Sequence, residues 1–276
     1  MRPRVWCFTP NPVLEKKFDE KTGRCFCSKG GKGRNVARQL QQWGIPTISV
    51  SVSSSSILGT DPGSDPKAGA GERQGWAWVR EGIERIDFFT EDLKVGSMEW
   101  RKIREYWMRN LKSGDWWVVA GSSATGWPRG WWKKLIGDLQ KKGVTVLVDS
   151  RGALIWEAVE AGAEWIKCNL EEAEATTGLK GVERCVRILK GDGTTGVVVT
   201  LGKDGLAADV NGSRFLISAP KVKVKDPTGA GDVVTAGLIF GETRGWAMEK
   251  TLRIAAGVGV RKVSLRGDVA KGCLRD

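Results

Sequence analysis

The sequence predicts an α/β fold built on a mainly parallel sheet with helices on both faces. Short apolar runs, as expected of strands buried on both sides, alternate along the chain with segments of helical periodicity. Such repeated alternation is typical of parallel sheets, because each strand needs a crossover helix to reach the next one. A length of 276 residues suits one large domain, and we expect residues 1–276 to form it without internal repeats or linkers.

The predicted elements follow from local pattern. The first helix, for example, carries Val36, Ala37 and Leu40 on one face and is ended by Gly44. The predicted strands cover 5–9, 47–52, 86–89, 116–120, 145–149, 165–167, 196–201, 206–210 and 214–217. The predicted helices cover 33–43, 98–112, 130–142, 153–160, 170–177, 182–189, 229–241 and 247–262. The Asn211-Gly212 pair is typical of a tight hairpin turn. Residues 53–75, rich in Ser, Gly, Asp and Pro, are predicted to form a long loop.

Composition removes several kinds of chemistry. The chain has no histidine, so a Ser-His-Asp triad, a histidine-bound metal and a histidine base are all excluded. Proton transfer must then use Asp, Glu, Lys, Cys or the single tyrosine, Tyr106. The six cysteines are scattered, and Cys25 and Cys27 lack the further ligands that a zinc site needs. We interpret that pair as two residues on one face of a strand.

The net charge of +12 attracts anions of every kind, from nucleotides to nucleic acids. The basic residues are spread along the chain, which favours a generally basic surface over a nucleic-acid groove. The 14 tryptophans lie mostly in apolar patterns and are assigned to core packing. No apolar run is long enough to span a membrane, and the N-terminal one is too short for a signal peptide. We therefore expect a cytoplasmic protein without a membrane partner.

The strongest candidate for a functional site is the segment from Asp226 to Asp232, Asp-Pro-Thr-Gly-Ala-Gly-Asp. Its glycines let backbone amides approach a ligand, and the helix that follows offers unpaired N–H groups and a partial positive charge. This arrangement suits a transferring phosphoryl group. Asp232, in the first helical turn, could accept the proton of an attacking hydroxyl. The alternative is an acidic residue that only complements the helix dipole.

Three further segments carry weaker signals. The loop 28–35, Ser-Lys-Gly-Gly-Lys-Gly-Arg-Asn, opens a helix but lacks the spacing of a Walker A loop. Asn169 and Glu172 form an Asn-x-x-Glu pattern that fits either a simple helix cap or a magnesium site working through water. The segment 200–205, Thr-Leu-Gly-Lys-Asp-Gly, is by itself an ordinary turn.

Together and in this order, the four segments resemble the PfkB (ribokinase-like) carbohydrate kinase family. The Thr-Pro-Asn-Pro sequence at 9–12 and the Gly-Gly-Lys-Gly loop are most similar to the phosphofructokinase branch, which includes 1-phosphofructokinase and tagatose-6-phosphate kinase. The likeness covers nearly the whole chain apart from about residues 53–97. It implies a three-layer ribokinase-like sandwich and the ATP-dependent phosphorylation of a hydroxyl on a sugar or sugar phosphate.

The resemblance also implies roles for individual residues. Asp232 would be the general base, beside an anion hole formed by Gly229, Ala230 and Gly231. The residues implied for Mg-ATP, with magnesium held through water by the Asn-x-x-Glu pair, are Lys167, Asn169, Glu172, Thr200, Gly202 and Gly205. Those implied for the sugar are Asn11, Glu15, Gly30, Gly31, Lys32 and Asn35. Some members bind potassium, and the matching positions are Asp226 and Thr228.

The chain departs from the family pattern in two places. The family usually has Asp where Glu15 stands, and the extra methylene can misplace a hydrogen bond to the sugar by about 1 Å. The family's β-sheet lid over the sugar is expected to be reduced or absent, with remnants at 16–29 and 86–97. We therefore expect a more open site, and a monomer or a dimer that does not use the lid.

Two other interpretations stay open, and the departures favour the first of them. One is a non-catalytic protein on the same fold that binds a nucleotide or sugar phosphate. The other is a basic protein associated with nucleic acid. The kinase reading is favoured because a protein that only binds has no need of a base at Asp232. The lysines of the glycine loop further favour an acceptor that is already anionic.

Overall fold

The structure is a computed structural model that describes residues 3–19, 23–52, 57–60, 73–79, 87–225, 227–265 and 269–274. The first strands are β1 (Val5–Thr9), β2 (Val13–Asp19), β3 (Arg24–Gly30), β4 (Thr47–Val52), β5 (Ile57–Thr60), β6 (Arg73–Val79) and β7 (Asp87–Phe89). The later strands are β8 (Trp116–Ala120), β9 (Thr145–Asp149), β10 (Trp165–Asn169), β11 (Gly196–Thr200), β12 (Leu206–Val210) and β13 (Ser213–Ile217). The helices are α1 (Lys32–Gln42), α2 (Ser97–Asn110), α3 (Trp131–Lys141), α4 (Ala153–Ala161), α5 (Leu170–Thr177), α6 (Val182–Leu189), α7 (Ala230–Thr243) and α8 (Met248–Ser264).

The central sheet has the strand order β13-β12-β11-β10-β9-β8-β1-β4-β5 in the described part of the chain. All pairings from β4 to β11 are parallel, and antiparallel strands occur only at the two edges. The β12–β13 hairpin turns through Asn211 and Gly212, both at positive φ, as the Asn-Gly pair predicts. The predicted α/β class with a mainly parallel sheet is confirmed.

Helices cover both faces of this sheet and give three layers. On one face, α2 to α6 pack on alternate strand residues such as Trp6 and Phe8. On the other face, α1, α7 and α8 pack on the intervening residues, such as Val5 and Cys7. Strands covered on both sides read as continuous apolar runs, which explains why their positions could be predicted. Among the described helices, none is both long and apolar enough to cross a membrane.

A group of indole rings fills the layer between the sheet and helices α2 and α3. Trp100, Trp107, Trp117 and Trp132 are all fully buried there. The ring centroids of Trp107 and Trp117 lie 5.5 Å apart, and those of Trp100 and Trp132 lie 5.7 Å apart, both in edge-to-face geometry. Trp131 joins the group at 4.8 Å from Trp132. The tryptophan-rich composition therefore serves core packing, as the sequence indicated.

A second sheet contradicts the expectation of a reduced or absent lid. It has four strands in the order β3-β2-β6-β7, with β2 and β6 parallel and the outer pairs antiparallel. The predicted loop at 53–75 was also wrong in part, since β5 and the start of β6 fall within it. Both strands gain their backbone hydrogen bonds from partners distant in sequence, β4 and β2, and local composition does not reveal such pairing.

The second sheet also removes the basis for two linked expectations. An open site and a dimer that avoids the lid were both inferred from missing strands. Strand β2 begins at Val13 and β3 ends at Gly30, so these two strands of the second sheet lie between β1 and α1 in the chain. Cys25 and Cys27 are both exposed on β3 and both free, as expected of two residues on one strand face.

Candidate active site

The principal cavity, about 430 Å³ in volume, lies where the parallel strands of the central sheet end. Ligands of such sheets bind outside the carboxyl ends of the strands, where loops and helix N-termini converge. Segments after β8 and β9, the carboxyl ends of β10 and β11, and the first turns of α1, α5 and α7 contribute to its wall. The sequence-predicted residues that line it are Asn11, Gly31, Lys32, Asn35, Lys167, Asn169, Glu172, Thr200, Thr228, Gly229, Gly231 and Asp232.

Some predicted residues are not brought to this cavity. Gly30, Ala230, Gly202 and Gly205 are described but do not form part of its wall. Gly205 has a structural role instead, because a Cβ there would lie 1.9 Å from the carbonyl oxygen of Ile217. Two further predictions, the side chain of Glu15 and the whole of Asp226, lie outside what the structure describes.

Asp232 is buried in the first turn of α7, with 5% of its surface exposed. Gly229 begins this helix in the left-handed region, at φ 75°, a conformation that favours glycine. Asn35 Nδ2 donates a hydrogen bond to Asp232 Oδ2 at 2.7 Å. Burial and the nearby negative charge of Asp149 raise the pKa of Asp232 above its usual range. A carboxylate with a raised pKa is a better proton acceptor, which suits a general base.

Asp149, at the end of β9, lies beneath this cavity and was not singled out from the sequence. Its side chain is fully buried, and Oδ2 accepts hydrogen bonds from Lys167 Nζ at 3.0 Å and Thr235 Oγ1 at 2.6 Å. Lys32 Nζ lies 3.6 Å from Oδ1. Burial alone would raise the pKa of Asp149, but the charges of Lys167 and Lys32 outweigh it and hold the pKa below its usual range.

The buried cluster of Asp149, Lys167 and Thr235 fixes the first turn of α7 through hydrogen bonds. The carbonyl oxygen of Gly231 accepts a hydrogen bond from Lys167 Nζ at 3.1 Å and another from Thr235 Oγ1 at 3.1 Å. A Cβ on Gly231 would lie only 3.1 Å from that ammonium nitrogen. Lys167 was expected near phosphates, and it does line the cavity. Its bonds, however, tie β9 and β10 to the N-terminus of α7.

Lys32 begins α1 and reaches across to the opposite wall. Its ammonium donates to Glu172 Oε1 at 3.0 Å, and the negative charges of Asp149, Glu172 and Asp232 raise its pKa although burial opposes this. Gly31, just before it, has φ 121°, and a Cβ there would lie 2.5 Å from Thr9 Cγ2. The helix can therefore approach β1 this closely only with glycine at position 31.

Asn169 and Glu172 form a complete capping box at the start of α5. Asn169 Oδ1 accepts from the Glu172 backbone N–H at 2.7 Å, and Glu172 Oε2 accepts from the Asn169 backbone N–H at 3.0 Å. The prediction that this pattern caps a helix is thus confirmed. Both residues nevertheless line the cavity, and the other oxygen of Glu172, Oε1, is the one that accepts from Lys32.

Ser150 and Arg151 line the cavity and were missed at the sequence level. They follow Asp149, the last residue of β9, directly. Ligands of parallel sheets bind beyond the carboxyl ends of the strands, and this rule applied to β9 as much as to β10 and β11. The signal was therefore present, but the Asp-Ser-Arg-Gly sequence here carries no glycine-rich loop or capping pattern to draw attention to it.

Comparisons with known proteins agree with this geometry. The sequence pattern of the pfkB family carbohydrate kinases matches residues 70–271. The fold is similar to Escherichia coli phosphofructokinase-2 in its tetrameric inhibited form, with a TM-score of 0.81 and 20% identity over 99% of this chain and 97% of that chain. The same enzyme in complex with fructose-6-phosphate gives 0.79, at 20% identity and equal coverage. Vibrio cholerae O395 fructokinase bound to fructose, ADP and calcium gives 0.70, at 20% identity over 99% of this chain and 96% of that chain.

The family resemblance predicted from the four short segments is confirmed, because the family pattern covers well over half of the sequence. The similar structures share too little sequence to show more than the fold. The chain therefore belongs to the pfkB family of carbohydrate kinases, and is an ATP-dependent sugar kinase.

Proposed function

We propose that this chain transfers the terminal phosphoryl group of ATP to a hydroxyl of a sugar or sugar phosphate, with Asp232 as the general base. The observation that carries the proposal is the position of Asp232. It is a buried carboxylate with a raised pKa, it faces the principal cavity, and it stands in the first turn of a helix that begins with Gly-Ala-Gly.

In the proposed reaction the acceptor hydroxyl oxygen forms a bond to the terminal phosphorus of ATP. The bond from that phosphorus to the bridging oxygen breaks, its electron pair leaves with ADP, and the hydroxyl proton passes to Asp232. Asn35 orients the base through its 2.7 Å hydrogen bond. The N–H groups around Gly229, Ala230 and Gly231 would receive the charge that develops on the phosphoryl oxygens.

The residues of the cavity fit a magnesium ion. Asp149 Oδ1 is buried and accepts no hydrogen bond from any residue that the structure describes. Glu172, a second carboxylate, lines the cavity and contacts the same Lys32 ammonium that lies near Asp149. Magnesium usually takes one or two carboxylates, with phosphate and water completing its shell, so no larger acidic cluster is needed. Asp149, Glu172 and Asn169 would hold it, the last two through water, and it would neutralise phosphate charge.

We also propose a potassium site at Asp226 and Thr228. Thr228 lines the cavity, but the other matching position, Asp226, is outside the described residues. The proposal rests on the sequence alone at that point.

The acceptor is proposed to be a hexose or a hexose phosphate. Two similar folds belong to proteins described in complex with fructose-6-phosphate and with fructose. In this chain Asn11 is buried on the acceptor side, where its Nδ2 donates to Asp92 Oδ1 at 2.8 Å and to Ser122 Oγ at 3.0 Å. These bonds place a carboxylate and a hydroxyl where sugar hydroxyls could reach them.

The test measures ATP consumption with a panel of sugars, sugar phosphates and nucleosides. Replacing Asp232 with Asn should lower kcat by about 10²- to 10⁴-fold on the best acceptor. Asp192→Asn, an exposed carboxylate in the loop after α6, is the matched control and should leave the rate unchanged. Equal rates for wild type and Asp232→Asn would refute the assignment of the base.

Two further measurements test the alternatives that the sequence left open. ATP binding by calorimetry with no turnover on any acceptor would indicate a protein that only binds. Tight DNA binding that weakens steeply with salt and ignores ATP would indicate a nucleic-acid protein.

A further inference from the structure

A second cavity, about 300 Å³ in volume, adjoins the principal one on the α3–α5 side of the sheet. The two share Ser122 and Arg151, so they are contiguous. The second cavity lies farther from Asp232, over the start of α4. Its wall includes Ser122, Ser123, Trp127, Arg151, Gly152 and Thr176.

Arg151 carries the positive charge of this cavity. The side chain is exposed, and no residue in the described part of the chain makes a hydrogen bond or ion pair with it. A guanidinium offers five N–H donors in a planar fork that matches the oxygens of a phosphate. Standing at the junction of two cavities with its donors unused, Arg151 is placed to bind an anion that enters from the principal cavity.

Two other features supply donors to the same space. No side chain caps the first turn of α4, and Gly152, which precedes it, lines the cavity with Ala153 and Leu154. The N–H of Gly152 is taken by Thr176 Oγ1 at 2.9 Å, but the N–H groups after it have no intrahelical partner. Ser123 Oγ is buried and has no hydrogen-bond partner among the described residues. This hydroxyl belongs to a residue of the cavity wall and can donate to a ligand there.

One carboxylate, Asp92, also belongs to this wall. It is engaged by the amide of Asn11, which holds it towards the shared boundary with the principal cavity. In the described part of the chain, the donors of Arg151, Ser123 and α4 therefore share this wall with one carboxylate, and that carboxylate already has a partner.

We propose that the second cavity binds the phosphate of an acceptor that is already phosphorylated, and that Arg151 is a specificity-determining residue for sugar phosphates over free sugars. The inference rests on the proposed kinase function and names its acceptor class. A separate cationic site would be useful, because in the proposed reaction the phosphates of ATP would occupy the principal cavity near the first turn of α7. Holding the acceptor's phosphate at Arg151 keeps like charges apart while its hydroxyl reaches Asp232.

The test is a binding measurement that does not depend on turnover. Calorimetry with fructose 6-phosphate, fructose and a six-carbon aldonate compares the wild type with Arg151→Gln. Losing hydrogen bonds to a charged group should weaken fructose 6-phosphate binding by about 10- to 100-fold and leave fructose unchanged. Arg151→Lys keeps the charge without the fork and should recover part of the affinity. Arg187→Gln, an exposed arginine on α6, is the control and should behave as wild type.

Several outcomes would overturn the inference. One is equal affinity of wild type and Arg151→Gln for fructose 6-phosphate. Another is a wild type that binds fructose as tightly as fructose 6-phosphate, or that binds no hexose phosphate at all. Tighter, Arg151-dependent binding of the aldonate would assign the cavity to a carboxylate instead. Loss of ATP turnover with phosphate binding at Arg151 intact would contradict the proposed catalysis alone.

Discussion

The end of β9 and the first turn of α7 each bury an aspartate in the same site, yet the two carboxylates differ in their partners. Asp149 accepts hydrogen bonds from Lys167 and Thr235 and lies 3.6 Å from a second ammonium, that of Lys32. From the residues that the structure describes, Asp232 accepts one side-chain hydrogen bond, donated by the neutral amide of Asn35. The pKa of the first is lowered and that of the second is raised.

This difference teaches how one site can divide its roles. Where two neighbouring carboxyls are pushed in opposite directions, the one with the raised pKa is suited to take a proton and the other to remain charged. Asp149 is thus suited to remain an anion, paired with Lys167. Asp232 is the group that we propose gains and loses a proton. The following substitutions test this difference between Asp149 and Asp232, and they are given from the largest expected effect to the smallest.

The largest effect is expected at Asp149. Asp149→Asn would leave the ammonium of Lys167, only 2% exposed, without its charged partner. Breaking a buried ion pair from one side typically costs about 3–5 kcal/mol. We expect a drop of that order in the free energy of unfolding, measured by urea denaturation.

The control for this experiment removes both charges together. Asp149→Leu with Lys167→Met replaces the pair by apolar side chains and should recover most of the lost stability. If Asp149→Asn unfolds at the same urea concentration as the wild type, the ion pair does not stabilise the fold.

A smaller effect is expected when Asn35, which donates a hydrogen bond to the proposed base Asp232, is replaced. The hydrogen bond from Asn35 lowers the pKa of Asp232, so Asn35→Ala should raise that pKa further. The acid limb of the pH profile of kcat/KM should move to higher pH, with a loss of roughly 3- to 10-fold on that limb. Asn110→Ala, whose amide serves only the carbonyl of Tyr106 on α2, is the matched control. An unmoved acid limb would show that Asn35 does not tune the base.

The smallest effect is expected from Asp232→Asn. This substitution should stabilise the fold, whereas Asp149→Asn should destabilise it. The pKa of Asp232 is higher in the folded chain than in the unfolded one, so the folded chain binds more protons between the two values. The free energy of unfolding therefore falls as pH rises through that interval. Asp232→Asn removes this penalty and should raise Tm by a few degrees near neutral pH, with a flatter dependence on pH. A lower Tm for this variant at neutral pH would contradict the assignment.

Much of the fold was predictable because its strands and helices are locally consistent. Helix α5 matches its predicted limits, since Asn169 caps its start and Gly178 ends it. The second sheet was not predictable in the same way. The pairing of β2 with β6 depends on register between distant segments, and one of them borders a stretch whose composition favours loops.

The residues of the site likewise divide into those that a local sequence pattern reveals and those that only the folded chain reveals. Asp232 was found because a glycine turn and a helix start mark it in the sequence. Asp149 gains its importance from Lys167, Lys32 and Thr235, which lie on three other elements and meet it only in the folded chain. A carboxylate whose partners are all distant in sequence has no local pattern to reveal it, apart from its place at the end of a strand.

The indole group between the sheet and α3 has an optical consequence. Trp127 lies in the wall of the second cavity, and its ring centroid is 6.5 Å from that of Trp132. Of the described residues that line the principal cavity, none is a tryptophan. Excitation passes readily between indoles this close, so a ligand beside Trp127 alters the emission of a coupled set of fluorophores. A ligand confined to the other cavity touches none of them, and intrinsic fluorescence thus reports on the two compartments unequally.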